Sequence, residues 1–249
     1  MFKTIVLSAG AEKGVGMLGI LHRLIVNKKI SLTQIDNFVG SSVGAVICAL
    51  LTINKTPIDI LFDIVKLLPM SCSKEKNKIY SLLENHFKNL TFLDLFNSTK
   101  KNLVITSFNI LERKSEFYSY KVSPNKNVFE ALKETISIPF CMEESFNQSS
   151  LDGSLCTPFP IKHCKNENYG KIFGIYTYPA YDNIFQIRNV YDDINVMFLS
   201  LFNLILSYEI AFSDKEDYLI ELKYEAKYER YFLDFETAFN LFFLDTTQI

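Results

Sequence analysis

The sequence predicts an α/β fold, a three-layer α/β/α sandwich around a mostly parallel central sheet. Three observations carry that expectation. Short apolar runs alternate along the chain with stretches of helical period. The first two runs, residues 3–7 and 36–39, each pass through a turn of small residues into an apolar helix, the order of a parallel strand–helix unit. The 249 residues contain no internal repeat, low-complexity tract or linker, so residues 1–249 read as one domain with a sizeable core.

In chain order, the strand at 3–7 runs into Ser8-Ala9-Gly10-Ala11-Glu12-Lys13-Gly14. Met17, Leu18, Ile20, Leu21, Leu24 and Ile25 then recur at helical spacing. A second strand at 36–39 leads through Gly40-Ser41-Ser42-Val43-Gly44 into a helix over 43–53. Thr56 is placed as an N-cap with Pro57 at the first helical position of a helix over 57–68. Residues 71–78 are polar and lysine-rich and read as an exposed loop, while 81–87 and 92–96 show no decisive period. Strands are expected at 103–109 and 116–120, paired as a hairpin across 111–114. A helix over 128–137 stops before Pro139. A strand ends at 146–152, another covers 171–178, a long helix covers 194–212, a last strand covers 218–223, and a helix over 237–243 closes the chain.

Composition excludes several classes. With 48% hydrophobic and 22% charged residues the chain is globular rather than disordered. A net charge of −2 gives no electrostatic case for nucleic acid. Five cysteines (Cys48, Cys72, Cys141, Cys156, Cys164) without Cys-x-x-Cys pairing disfavour a disulfide framework or zinc site and suit a reducing compartment. The apolar run at 1–7 is too short for a secretory signal. The most apolar stretch, 196–206, is shorter than the roughly 20 residues of a membrane span and reads as a buried helix. The expectation is a cytoplasmic protein, peripheral on membranes at most, with neither signal peptide nor transmembrane helix.

Gly40-Ser41-Ser42-Val43-Gly44 is a Gly-x-Ser-x-Gly match set between a strand and a helix. In that setting a tight, strained turn presents the serine hydroxyl above a helix N-terminus, whose dipole favours negative charge. The plainer alternative makes Ser42 a helix cap. The loop of small residues at 8–14 would let backbone N–H groups converge on an anion, as an oxyanion hole needs. The alternatives there are an ordinary strand-to-helix loop or a degenerate phosphate loop; the full phosphate-loop pattern is absent. Leu151-Asp152-Gly153-Ser154 sets an aspartate at a strand end beside glycine, either a general base or a turn residue. A histidine triad would use Ser42, Asp152 and His163 in that order, but an 11-residue gap from Asp152 to His163 is short for that fold. His22 and His163 read as surface or structural residues.

The succession of small-residue loop, serine elbow and Asp-Gly block resembles the patatin-like phospholipase family over nearly the whole chain. Its opening block, Leu-Ser-Gly-Gly-Gly-x-x-Lys/Arg-Gly, is similar to residues 7–14; its Gly-Thr-Ser-x-Gly-Ala elbow to residues 40–45; its Asp-Gly-Gly or Asp-Gly-Ala to residues 152–154. Ser137-Ile138-Pro139 resembles the Ala-Ser-x-Pro before the aspartate strand, and residues 157–161 resemble the x-x-Pro-x-Pro segment after it. Leu233-Asp234-Phe235 is similar to a C-terminal Asp-Phe helix start. The resemblance implies a calcium-independent hydrolase of phospholipid or lysophospholipid esters, with no metal or cofactor. Ser42 would be the nucleophile and Asp152 the base, proceeding through an acyl-enzyme. Ala9, Gly10, Ala11 and Val43 would supply oxyanion N–H groups. Gly40, Gly44, Lys13, Gly14 and Gly153 would support elbow and loop, with Lys13 bracing the latter. Leu18, Leu67, Leu68 and Met70 are candidates for an acyl pocket, and Lys74, Lys76 and Lys78 for contact with anionic lipid. Partners would be the lipid and, transiently, a membrane surface. The chain departs from the pattern at Ala9 and Ala11, where the family has glycine. That departure sustains an alternative, a catalytically weak or silent lipid-binding or interaction protein of the same fold.

Overall fold

Alternation along the central strands divides the apolar core in two. In β1 (Thr4–Leu7), Ile5 and Leu7 face one cluster and Val6 the other; in β2 (Asn37–Ser41), Phe38 and Val39 do the same. Leu103 and Ile105 against Val104 repeat the pattern in β4 (Asn102–Asn109). A sheet buried on both faces needs helices on both, which makes the three layers. The computed structural model describes residues 1–68, 70–71, 76–138, 149–178, 190–223 and 232–243.

Among the described residues the main sheet has seven strands. Its spine runs β5 (Lys114–Tyr118), β4, β2, β1, β7 (Ile172–Tyr176), β8 (Tyr218–Glu221), and β6 (Ser150–Asp152) also pairs with β4. The β4–β2, β2–β1, β1–β7 and β7–β8 pairs are parallel; β5 and β6 run antiparallel to β4. The expected mostly parallel α/β sheet is therefore present. A two-stranded antiparallel pair, β3 (Met70–Ser71) with β9 (Phe232–Leu233), was not expected.

The helices follow their local signals. α1 (Gly14–Val26) and α2 (Val43–Thr52) bury long apolar faces in the larger cluster. α3 (Pro57–Leu67) opens on a capping box: the Thr56 hydroxyl accepts the Asp59 N–H, and the Asp59 carboxylate accepts the Thr56 N–H. The two stretches without decisive period are helices, α4 (Lys76–Phe87) and α5 (Phe92–Thr99), the latter opened by a second capping box, Thr91 with Asp94. Lys78, expected in an exposed loop, lies in α4 and donates to the Leu67 carbonyl at the end of α3 (3.1 Å). Lys74, the Lys76 side chain and the Met70 side chain fall outside the described residues. α6 (Val128–Thr135) ends two residues earlier than the expected 137, ahead of Pro139. α7 (Ile161–Asn166) is an addition to the expected elements.

α8 (Val190–Ile210) corrects the expectation of a buried helix. Leu199, Phe202 and Leu206 are buried, but Met197, Leu201, Leu204 and Tyr208, spaced along one face, are each more than half exposed. No helix among the described residues is long and apolar enough to cross a membrane. α9 (Phe235–Phe242) begins at Asp234, whose carboxylate accepts the Thr237 N–H (2.7 Å), and Arg23 of α1 donates to the Phe242 carbonyl at its far end (3.2 Å).

Candidate active site

Parallel strands bring their C-terminal ends to one edge, where ligand sites of open α/β sheets lie. β1 ends there in the small-residue loop, and β2 ends in the Gly40–Gly44 turn. Register then supplies the third member. Ser41 stands opposite Thr106, and the next residue of β4, Ser107, stands opposite Asp152. Residues 42 and 152, 110 apart in sequence, thereby become neighbours.

The turn is held by close approach of backbones. A side chain on Gly40 would run into the backbone of Gly44 and Ala45, and one on Gly44 into the carbonyls of Leu7 and Ser8. Gly14 leaves room for the Val43 side chain, and Gly153 for the Thr106 carbonyl and the Ser41 hydroxyl. Ser42 takes φ 53° and ψ −127°, a strained backbone for a residue with a side chain. It occupies the N-cap position of α2, yet its side chain caps nothing. Its hydroxyl donates instead to Asp152 Oδ2 at 2.7 Å. That distinguishes the elbow from a simple capping turn.

Asp152 is almost wholly buried. Its Oδ1 accepts the Ser154 N–H (2.8 Å), so it closes a local turn and partners Ser42 at once. Burial pushes its carboxyl up from an ordinary 3.8 to about 6, against the pull of the hydrogen bonds from Ser154 and Ser42. Beside it, Ser107 donates to the Tyr118 hydroxyl (3.1 Å), which donates to Glu116 (2.5 Å). That polar chain ties β4 to β5 at the corner where β6 attaches. His163 takes no part in it: it stacks on Phe117 (3.9 Å between centroids) and meets Tyr169 edge-on.

The loop after β1 needs one correction. The Ala9 N–H donates to the Pro158 carbonyl (2.8 Å), so it is engaged and is not an oxyanion donor. Among the described residues the N–H groups of Gly10, Ala11 and Val43 meet no protein acceptor. Val43 is the first residue of α2, where helix N–H groups lack internal partners. Gly10 is extended (φ 167°), whereas Ala11 sits at φ 47°, the left-handed region that favours glycine. Lys13 pairs with its neighbour Glu12, both largely buried. Leu18 is fully buried in the main core, and Leu67 and Leu68 are half-buried, Leu68 against that core, so at least Leu18 serves as packing.

Sequence reasoning missed Thr135. Its hydroxyl donates to the Thr106 carbonyl (2.5 Å) and accepts the Ser42 N–H (2.9 Å). Two residues on, the Ser137 carbonyl accepts the Asp152 N–H (3.0 Å). A threonine near a helix end carries no motif of its own. The one available pointer was that Ser137-Ile138-Pro139 already matched a family block.

Known proteins resemble this chain in sequence and in fold. The model of a family described as patatin-like phospholipase matches residues 5–165, which include the loop, the elbow and Asp152. A protein named probable lipid hydrolase 463L, from Invertebrate iridescent virus 6, is 32% identical over 184 residues, covering 64% of this chain and 62% of that protein. The match thus spans less than two thirds of that relative. The crystal structure of VipD from Legionella pneumophila superposes with a TM-score of 0.55 over 96% of this chain and 64% of that one. At 12% identity the likeness is one of fold.

Two stability measurements follow from the site. The folded state binds the Asp152 proton more tightly than the unfolded state, so this group's contribution to stability is full below about pH 3.8 and is lost as pH rises through about 6. Asp152→Asn, neutral at every pH, is expected to raise the unfolding free energy at pH 8 by about 1–3 kcal/mol. The gain should fade towards pH 4 in urea titrations. Ala11→Gly relieves the left-handed strain, partly offset by the larger freedom of glycine in the unfolded chain. A net gain of about 0.5–1 kcal/mol is expected in the same assay.

Proposed function

The chain belongs to the patatin-like phospholipase family, and from that premise we propose that it is a calcium-independent serine ester hydrolase of phospholipid or lysophospholipid. The observation that carries this reading is the 2.7 Å hydrogen bond from the Ser42 hydroxyl to Asp152, made by a serine on a strained elbow. Asp152 Oδ2 is placed to take the Ser42 proton as the oxygen attacks the ester carbonyl. The negative charge that develops on the carbonyl oxygen is taken by the N–H groups of Gly10, Ala11 and Val43, aided by the α2 dipole. Collapse expels the lipid alcohol, which receives the proton from Asp152 and leaves an acyl group on Ser42. Water, deprotonated by the same carboxylate, then releases the fatty acid. A carboxyl near 6 is ionised at neutral pH and still basic enough to accept a proton, which a carboxyl near 3.8 would do poorly.

A second reading, a weak or silent lipid-binding protein, draws on two observations in the loop. Ala9 has no N–H to give, and Ala11 holds its own in a strained backbone. Losing one oxyanion donor costs about 10²–10³ in rate, so either feature bears directly on turnover.

Contact with a lipid surface is supported by α8. Met197, Leu201, Leu204 and Tyr208 recur at intervals of four, three and four residues, and their exposed faces form an apolar stripe. This stripe gives the chain a surface for transient contact with a lipid interface.

The deciding assay is fatty-acid release from mixed phospholipid and lysophospholipid micelles in excess chelator. Wild type is expected to be active, Ser42→Ala to fall to background, and Asp152→Asn to lose about 10²–10⁴-fold. Because the base must be ionised, kcat/KM should fall as pH drops through about 6. Loss of activity with the chelator, or full activity in Ser42→Ala, would overturn the reading. Wild type at the Ser42→Ala background, with Ser42 unlabelled by a fluorophosphonate, would establish the silent alternative. For the stripe, Leu201→Glu with Leu204→Glu should reduce co-sedimentation with phosphatidylcholine vesicles several-fold. Turnover of a short-chain soluble ester should be unchanged.

A further inference from the structure

The end of α6 touches both halves of the site. The Thr135 side chain is completely buried. Its single hydroxyl proton goes to the Thr106 carbonyl (2.5 Å), leaving a lone pair for the Ser42 N–H (2.9 Å). Neither partner can reverse its role, because a carbonyl only accepts and an N–H only donates. The polarity of the bridge is therefore set. Its place in the fold is equally specific. β2 ends at Ser41, so the Ser42 N–H has left the sheet ladder exactly where the backbone turns to φ 53°. That N–H would otherwise be a buried donor without a partner, at the residue whose side chain must point at Asp152. Thr106 is the register partner of Ser41. The bridge thus spans from the neighbouring strand, through α6, to the strained residue itself. Two residues further on, the Ser137 carbonyl holds the Asp152 N–H (3.0 Å).

We propose that Thr135 is the positioning residue of the nucleophile, and that residues 135–137 act as a common clamp that sets the Ser42–Asp152 separation. The clamp touches no substrate. It acts through the backbone of Ser42 on one side and that of Asp152 on the other. The proposal rests on the reading of Ser42 and Asp152 as the reacting pair. Its structural half, the bond from Ser42 to Thr135, stands apart from any activity.

Thr135→Ser keeps the hydroxyl; Thr135→Val keeps the shape and removes it; Thr135→Ala removes it with less crowding should the valine variant fold poorly. In the micelle assay, Thr135→Ser is expected within about threefold of wild type. Thr135→Val and Thr135→Ala are expected to lose about 10–100-fold in kcat with KM within about twofold, the size of effect a displaced reacting group produces. A second readout separates positioning from general destabilisation. The Ser42 hydrogen bond lowers the Asp152 carboxyl, so a misplaced Ser42 should move the acid limb of kcat/KM to higher pH. A smaller folded fraction would lower the profile without carrying the acid limb to higher pH, because the unfolded chain titrates near 3.8 and partial unfolding pulls the limb the other way. Wild-type kcat and acid limb in Thr135→Val and Thr135→Ala would overturn the proposal, as would equal impairment of Thr135→Ser. Hydrogen exchange at the Ser42 amide, read by NMR, keeps the two hypotheses apart. If wild type hydrolyses no lipid and reacts with no fluorophosphonate, the hydrolase reading fails. The clamp then stands if exchange is slow in wild type and Thr135→Ser but at least tenfold faster in Thr135→Val, and falls if all three exchange alike.

Discussion

The strained backbone of Ser42 is the constraint around which the rest of the site is arranged. A residue with a side chain does not hold φ 53° unless its surroundings determine it more than once. Here they do so from several directions. Gly40 and Gly44 let the two limbs of the turn approach to backbone contact, and Gly44 sets the turn against the end of β1. Thr135 holds the N–H, and α2 begins on the next residue. The strain aims a hydroxyl that would otherwise cap the helix at a buried carboxylate instead.

That carboxylate sits in an unfavourable place. Burial alone would keep Asp152 protonated, and the two hydrogen bonds it accepts offset only part of the cost. The balance leaves a carboxyl near 6, which is ionised at neutral pH at a cost to stability there. The site gives up folding free energy at two residues, one strained and one desolvated. A third case, Ala11 at φ 47°, has no evident return. A glycine would take that conformation freely, and nothing in the structure explains the alanine.

Because the strands run parallel, one edge of the sheet collects the β1 loop and the β2 turn without further design. Asp152 arrives differently, on the short antiparallel strand β6, and needs β4 as a common neighbour to reach Ser42. β4 is thus the strand against which both Ser41, beside the elbow serine, and Asp152 are registered, and the Tyr118–Glu116–Ser107 chain ties it to β5 at that end. The sheet face that carries the smaller cluster is less demanding. There α8 covers the smaller cluster with one face and leaves the other apolar and bare.

Sequence by itself determined the class of fold, the strands of the sheet spine and the two residues, Ser42 and Asp152, that meet at the elbow. These are local signals: alternation and helical period mark elements, a Gly-x-Ser-x-Gly between strand and helix marks an elbow, and Asp-Gly marks a strand end. The capping boxes at Thr56 and Thr91 are equally local; the first was legible from the Thr-Pro pair, while the second was overlooked, leaving α5 without a decisive sign. Only the tertiary structure decided which N–H groups are free. Ala9 lost its donor to Pro158, a residue about 150 positions away, and no property of Ala9 announces that. Thr135 became part of the site by the same route, through a hydrogen bond across 93 residues. Whether the apolar helix at 196–206 was buried on all sides or on one depended on how many neighbours reached it, a matter of packing rather than of composition. Periodicity is written into neighbouring residues. Hydrogen-bond partners and exposed faces are set by contacts between distant ones, and those exist only once the chain has folded.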